Sequence, residues 1–244
     1  NSPLLDGKPN GLLTNRGETW QHMDRTRTGF PKLEEVIATL SRKACVEAYL
    51  EWVLNGLVVF SERHHFKVMD GQFTFGDWVS KGFQGTKPSP RDLQTHLSLQ
   101  FPEVRARGFM ELRSVDCQHR YWQATPGAFY TGLLYDDKSM NKALDLLLPE
   151  FPKLMSYWQK APTGLQDKDM SRLAKKVSAL AIEGFSRLPP CYHGQESAPI
   201  LEAFYQRYTE KSRTPADEIV DGFKARGRFT GGDLIGLQDI WEPS

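Results

Sequence analysis

Glu103-Val-Arg-Ala-Arg-Gly-Phe-Met-Glu-Leu-Arg-Ser-Val-Asp116 is the stretch around which the chain can be read. Taken as a β-strand, it divides by face. Val104, Ala106, Gly108, Met110 and Leu112 fall on one side, and Arg105, Arg107, Phe109, Glu111 and Arg113 on the other. The first side is expected to pack on a core. The second carries three guanidinium groups, an aromatic ring and a carboxylate, an odd set to find between apolar segments. Two readings stay open here. The face is plain solvated exterior, or it floors a site for anions and a hard cation. Arginine forks match phosphate and carboxylate oxygens, and a carboxylate among them suits a divalent metal.

Upstream, residues 1–32 are rich in Gly, Pro, Asn and charge and read as an irregular polar segment. Arg16, Trp20, Asp24, Arg25 and Arg27 lie within a dozen positions of one another. An exposed basic loop is the plain reading, although a Trp among arginines usually has a partner. From Pro31 the spacing of Leu33, Val36, Ile37, Leu40, Ala44 and Ala48 predicts one helix continuing towards Leu57. His64 and His65 are adjacent, so they would point to opposite sides of a strand and are read as ordinary half-buried residues rather than metal ligands. Thr74 or Asp77 is expected to cap a helix through Trp78, and a short helix is expected at 90–97. Residues 118–127 read as a loop.

Downstream the pattern is mainly helical. Residues 128–135 start a buried helix, and Ser139 is expected to cap the next. Further helices carry Met170, Leu173 and Val177, then Ile200, Leu201 and Phe204. Thr214-Pro-Ala-Asp217 opens another. The tail, 231–244, looks irregular. The expected class is therefore α+β, helix-rich with few antiparallel strands. Residues 1–136 would form a substrate-site part and 137–244 a helical part of a single domain.

Bulk properties narrow the function. The chain has 244 residues, 39% hydrophobic and 25% charged, enough for a core. A formal net charge of +1 argues against a nucleic-acid partner. No apolar run approaches a membrane span. Three scattered cysteines, Cys45, Cys117 and Cys191, fit a reducing compartment rather than a disulfide framework or structural zinc. Cys45 is expected in the core. With no targeting segment visible, a cytoplasmic location is expected. Walker and dinucleotide glycine loops, the GxSxG elbow and HExxH are all missing from the sequence. What remains is an arginine-rich loop and an arginine-rich strand. These parts suit ATP-dependent activation of a carboxylate, in which cations offset phosphate charge.

Four ordered blocks carry a resemblance. They are Asn1-Ser-Pro with Gly7-Lys-Pro-Asn-Gly11, Asp24-Arg-Thr-Arg-Thr-Gly29, Phe101-Pro-Glu-Val-Arg105 with Phe109-Met-Glu-Leu-Arg-Ser-Val-Asp116, and Phe129-Tyr-Thr-Gly-Leu-Leu-Tyr-Asp136. In order and spacing the chain resembles the plant and bacterial glutamate–cysteine ligase family, weakening after about residue 190. The resemblance implies a glutamine-synthetase-like catalytic fold, of which this chain would be the helix-rich C-terminal portion. It implies ATP- and Mg2+-dependent joining of the glutamate γ-carboxylate to the cysteine amine through γ-glutamyl phosphate, the first step of glutathione synthesis. It places Arg16, Trp20, Asp24 and Arg27 on the substrate side. It places Arg107 and Arg113 on the phosphates, with Arg113 catalytic, and Glu111 on the metal. Arg113-Ser-Val-Asp116 replaces the family's Arg-Gly-Ala-Asp. The family's acidic N-terminal strand has no counterpart here, so a further portion or a complementary chain is expected to complete the site. A related ligase with another amine substrate, and a non-catalytic piece that regulates a complete ligase, are the alternatives.

Overall fold

Short polar caps and turn residues divide this chain into many small elements. The computed structural model describes residues 2–61, 67–68, 72–193 and 197–227. His64, His65 and the 231–244 tail lie outside the described residues. In chain order the elements are β1 (Leu4–Leu5), β2 (Lys8–Pro9), α1 (Asn15–Gln21), β3 (Thr28–Gly29), α2 (Glu34–Thr39), α3 (Arg42–Asn55), β4 (Phe60–Ser61) and β5 (Lys67–Val68). Next come α4 (Phe75–Lys81), α5 (Pro90–Ser98), β6 (Phe101–Pro102), β7 (Val104–Ala106) and β8 (Met110–Leu112). The helical remainder is α6 (Ala124–Leu134), α7 (Asp137–Leu147), α8 (Leu154–Lys160), α9 (Lys168–Arg187), α10 (Ser197–Arg207) and α11 (Pro215–Arg226). The expected helix-rich α+β class is what the structure has. Strands β1–β2, β4–β5 and β7–β8 pair antiparallel, while β3–β6 pair parallel.

Helix starts follow local chemistry. Thr74, Ser89 and Thr214 each stand three residues before an aspartate. In each case the aspartate carboxylate accepts the cap residue's backbone N–H, at 3.2, 2.8 and 2.7 Å respectively. Pro at the first turn of α5 and α11 suits a position whose N–H has no helical partner. Three expectations are corrected. The helix predicted across 33–57 is two helices, because Leu40 adopts a left-handed φ of 47° and Ser41 caps α3 afresh. The cap of α7 is Asp136, which accepts Ser139 N–H at 2.8 Å, while the buried Ser139 hydroxyl donates to Leu180 O at 2.7 Å. The loop expected at 118–127 contains a 3-10 turn (Arg120–Trp122) and the start of α6.

The chain divides into two units, Thr19–Ser114 and residues 1–18 with Val115–Ser244. These do not follow the 136/137 boundary read from the sequence. The first residues join the helical part because Ser2 N–H donates to Leu13 O at 3.1 Å and Leu13 N–H to Pro162 O at 2.7 Å. That larger unit packs α6 on α9 at close range. A Cβ on Gly132 would collide with the Ala181 carbonyl, and one on Gly184 with that of Gly132, so only glycine permits this approach. Trp122, Tyr208 and Ile219 form a second cluster there. The Thr19–Ser114 unit has its core at Val58, Phe75 and Trp78.

Candidate functional site

The stretch 103–116 is not one strand but a hairpin. Gly108 turns with φ +80°, and β7 pairs β8 in the register Val104↔Leu112, Arg105↔Glu111, Ala106↔Met110. Every pair sums to an even number, so the even and odd faces of the single-strand reading survive the turn. The apolar side does not pack as expected: Val104 is 43% and Met110 69% exposed, whereas Arg105 on the charged side is only 8% exposed.

Burial of Arg105 is tolerated because its charge is matched. Its Nε donates to Glu111 Oε2 at 3.0 Å, and its Nη2 lies 2.9 and 2.8 Å from the two carboxylate oxygens. Its Nη1 donates to the carbonyls of Ser98 and Gln100, each at 3.3 Å. Arg113 Nη1 donates to Glu111 Oε1 at 2.7 Å, and Arg107 Nη1 stands 3.8 Å from Oε2. Three guanidinium groups thus converge on one carboxylate. The hydrogen bonds of Arg105, then those of Arg113, hold the Glu111 carboxyl below its ordinary pKa against partial desolvation.

Aromatic rings complete the surround of Arg113. Its guanidinium carbon lies 5.3 Å from the Phe101 ring centre and 6.0 Å from that of Trp20, and these two rings are 5.2 Å apart. Beneath, the segment before β6 is fixed by buried polar groups. His96 Nε2 lies 2.9 Å from Val53 O and 2.8 Å from Gln100 Nε2, with the imidazole stacked on Phe75 at 4.5 Å. Gln100, fully buried, therefore ties the carbonyl that Arg105 uses to the helix α3 end. The sequence reading placed Arg105 on the site face but gave it no task of its own, and it missed Phe101 as a site residue. An arginine alternating with apolar residues carries no sign of its own burial.

The other expected site residues fall in two places. Trp20, Asp24 and Arg27 share the Thr19–Ser114 unit with the hairpin. Asp24 accepts Arg27 Nε at 2.8 Å, Thr26 N–H at 2.9 Å and the Thr26 hydroxyl at 2.8 Å, so the pair shapes its own turn. Burial raises the Asp24 pKa, but Arg27 and Thr26 more than offset it and leave the carboxyl lowered. Arg16 belongs to the other unit, where its Nη1 lies 3.3 Å from Asp116 Oδ1 and its backbone N–H donates to Ser2 Oγ at 3.2 Å.

As a metal centre the hairpin fits poorly. Both Glu111 oxygens accept arginine hydrogen bonds, and a divalent cation would have to displace them among three like charges. Among the described residues no group of three or more His, Cys, Asp or Glu is placed to hold a metal ion. Cys45, expected in the core, is exposed, as are Cys117 and Cys191. Among those residues, no helix is long and apolar enough to cross a membrane.

What the arrangement can do is hold negative charge. Arg107 is half exposed and only loosely held by Glu111, and Arg113 is pinned on two rings. Residues 1–235 match the sequence model of glutamate–cysteine ligase family 2. The chain is 31% identical over 231 residues to the chloroplastic glutamate–cysteine ligase of Arabidopsis thaliana, covering 91% of this chain and 42% of that protein. It is 30% identical over 231 residues to the Brassica juncea enzyme of the same name, covering 91% and 43%. Against the chloroplastic glutamate–cysteine ligase A of Oryza sativa subsp. indica it is 33% identical over 150 residues, covering 60% and 29%. The chain thus spans less than half the length of these curated relatives.

Proposed function

The chain belongs to glutamate–cysteine ligase family 2, and from that premise we propose that it is part of an ATP-dependent ligase joining the glutamate γ-carboxylate to the cysteine amine. In this reading a γ-carboxylate oxygen attacks the terminal phosphorus of ATP, giving γ-glutamyl phosphate and ADP. The cysteine nitrogen then attacks the acyl carbon, inorganic phosphate leaves with the C–O bond pair, and the nitrogen loses a proton. Both steps pass negative charge through oxygen atoms, and preorganised cations stabilise such charge.

The observation that carries this reading is the convergence of Arg105, Arg107 and Arg113 on Glu111. Within it the three arginines differ in task. Arg105 is committed to Glu111 and to backbone carbonyls and holds the hairpin. Arg113, oriented by Phe101 and Trp20, is the catalytic cation at the transferring phosphoryl group. Arg107, the most exposed, binds the ATP phosphates. Arg16 takes a carboxylate of glutamate, while Trp20, Asp24 and Arg27 shape the substrate side. Magnesium would neutralise the triphosphate in such a reaction, but Glu111 does not offer a cation its oxygens. The ion would need other carboxylates.

The test is ADP release by the full-length protein with each substrate withheld in turn. Release that requires glutamate, cysteine and ATP together is expected. Turnover indifferent to cysteine, or as fast with other amines, would overturn the cysteine assignment.

A further inference from the structure

Helix α9 carries a second cationic surface, built from residues other than the hairpin arginines. A groove of about 620 Å3 runs along its first half, within the size range of small-molecule sites. Lys168, Arg172, Lys175 and Lys176 line it, and positions i, i+4, i+7 and i+8 share one helix face. Leu165 and two serines line it as well. The hydroxyl of Ser171, a buried residue, is hydrogen-bonded to that of Ser212 at 2.7 Å.

The charge balance around this groove is uneven. Neighbouring cations are paired: Lys153 with Glu150 at 3.0 Å, Lys160 with Asp167 at 2.7 Å, and Arg172 with Glu150 at 2.8 Å. Among the described residues, Lys168, Lys175 and Lys176 have no carboxylate within ion-pair distance. Three uncompensated ammonium groups on one groove repel one another, although Asp167 and Asp169 already offset the positive end of this 20-residue helix. An anion relieves that repulsion. Seven residues of helix separate Lys168 from Lys175, roughly 10 Å of rise. A single small ion would reach one end only.

We propose that this groove binds a small polyanion whose phosphate or carboxylate groups extend over roughly 10 Å, held by the three lysines. Apolar contact with Leu165 admits a short hydrocarbon or peptide stem between the charged groups. The site does not depend on the ligase reading, because none of its residues has a part in that reading.

Calorimetric titration of the full-length protein, at fixed ionic strength, with tetrapolyphosphate and separately with the tetrapeptide tetraglutamate tests this. Saturable binding of at least one probe is expected, persisting in Arg107→Ala and weakened at least tenfold by Lys168→Ser/Lys175→Ser/Lys176→Ser. The probe that binds distinguishes a phosphate from a carboxylate ligand. Lys138→Ser/Lys142→Ser/Lys224→Ser, equal in charge removed, should leave the affinity unchanged. No binding of either probe, binding unaltered by the first triple variant, or an equal loss in the second would overturn the proposal.

Discussion

At Glu111 two tasks compete for the same two oxygens. A cation ligand must present lone pairs to the metal, whereas an arginine anchor presents them to N–H groups. The distances favour the second task, since Arg105 and Arg113 approach to between 2.7 and 3.0 Å. Glu111→Gln keeps the size, removes the charge and sets amide hydrogens against guanidinium hydrogens. The full-length variant should therefore need several-fold more ATP for half-maximal rate. Its magnesium midpoint, measured at saturating ATP, should stay within about twofold of the parent. A tenfold shift in that midpoint with an unchanged ATP requirement would restore the metal role. The sequence placed this carboxylate among arginines, and that was legible. Which task it has was not, because adjacency in sequence to cations is common to both, and only the hydrogen-bond directions separate them. Arg105 shows the same limit from the other side. Its importance comes from carbonyls at Ser98 and Gln100, before β7, which no residue pattern announces.

The hairpin as an element inverts the usual rule for a two-faced strand. On its charged face Arg105 turns inward and is satisfied by Glu111 while Arg107 and Phe109 stay exposed, and on the other face Val104 and Met110 meet solvent. Stability should respond accordingly. Phe109→Ser and Met110→Ser, at exposed positions, should each change unfolding free energy by no more than about 0.5 kcal/mol. Arg105→Met, which strands partly buried acceptors, should cost roughly 2 kcal/mol or more. Urea denaturation of the three variants checks the order, and a larger loss from Met110→Ser than from Arg105→Met would mean that the apolar face is the packed one. Alternation alone separated the two faces correctly across a turn it had not recognised, since an odd-numbered turn keeps parity. It could not say which face turns inward, because that depends on the partners each face finds. The helices were more legible where a cap is local. Thr74 with Asp77 and Thr214 with Asp217 signal their helices within four residues. The break at Leu40 was not legible, because leucine gives no warning of a left-handed backbone.

Over the whole molecule the near-zero net charge conceals ion pairs that span the sequence. Asp136 and Arg187 are 51 positions apart, and Glu150 gathers Tyr157, Lys153 and Arg172. Composition counts such groups but cannot pair them. Their consequence is a stability that depends on pH in two stages. Hydrogen bonds from Lys81 and then Thr74 lower the Asp77 carboxyl to about 2, and those from Tyr157, Arg172 and Lys153 lower Glu150 to about 2. Arg187 drives Asp136 lower still. Such carboxyls bind protons less readily folded than unfolded. Their contribution is complete above the unfolded values of roughly 4 and is lost as pH falls from there towards 2. His96 adds the earlier stage. Burial lowers its pKa, against the opposing bond to Val53, so the folded imidazole resists a proton that the unfolded chain accepts near roughly 6.5. Its contribution is present above that value and declines below it. His119 is lowered by burial too, but it is part exposed and adds less. The urea midpoint should therefore be flat above pH 7, fall gently from about 6.5, and fall steeply below about 4. His96→Gln should lower the plateau yet flatten the gentle segment, leaving the acid limb in place. A gentle segment that survives undiminished in His96→Gln would assign it to another group, and a midpoint that rises between pH 7 and 5 would reverse the sign argued for this histidine.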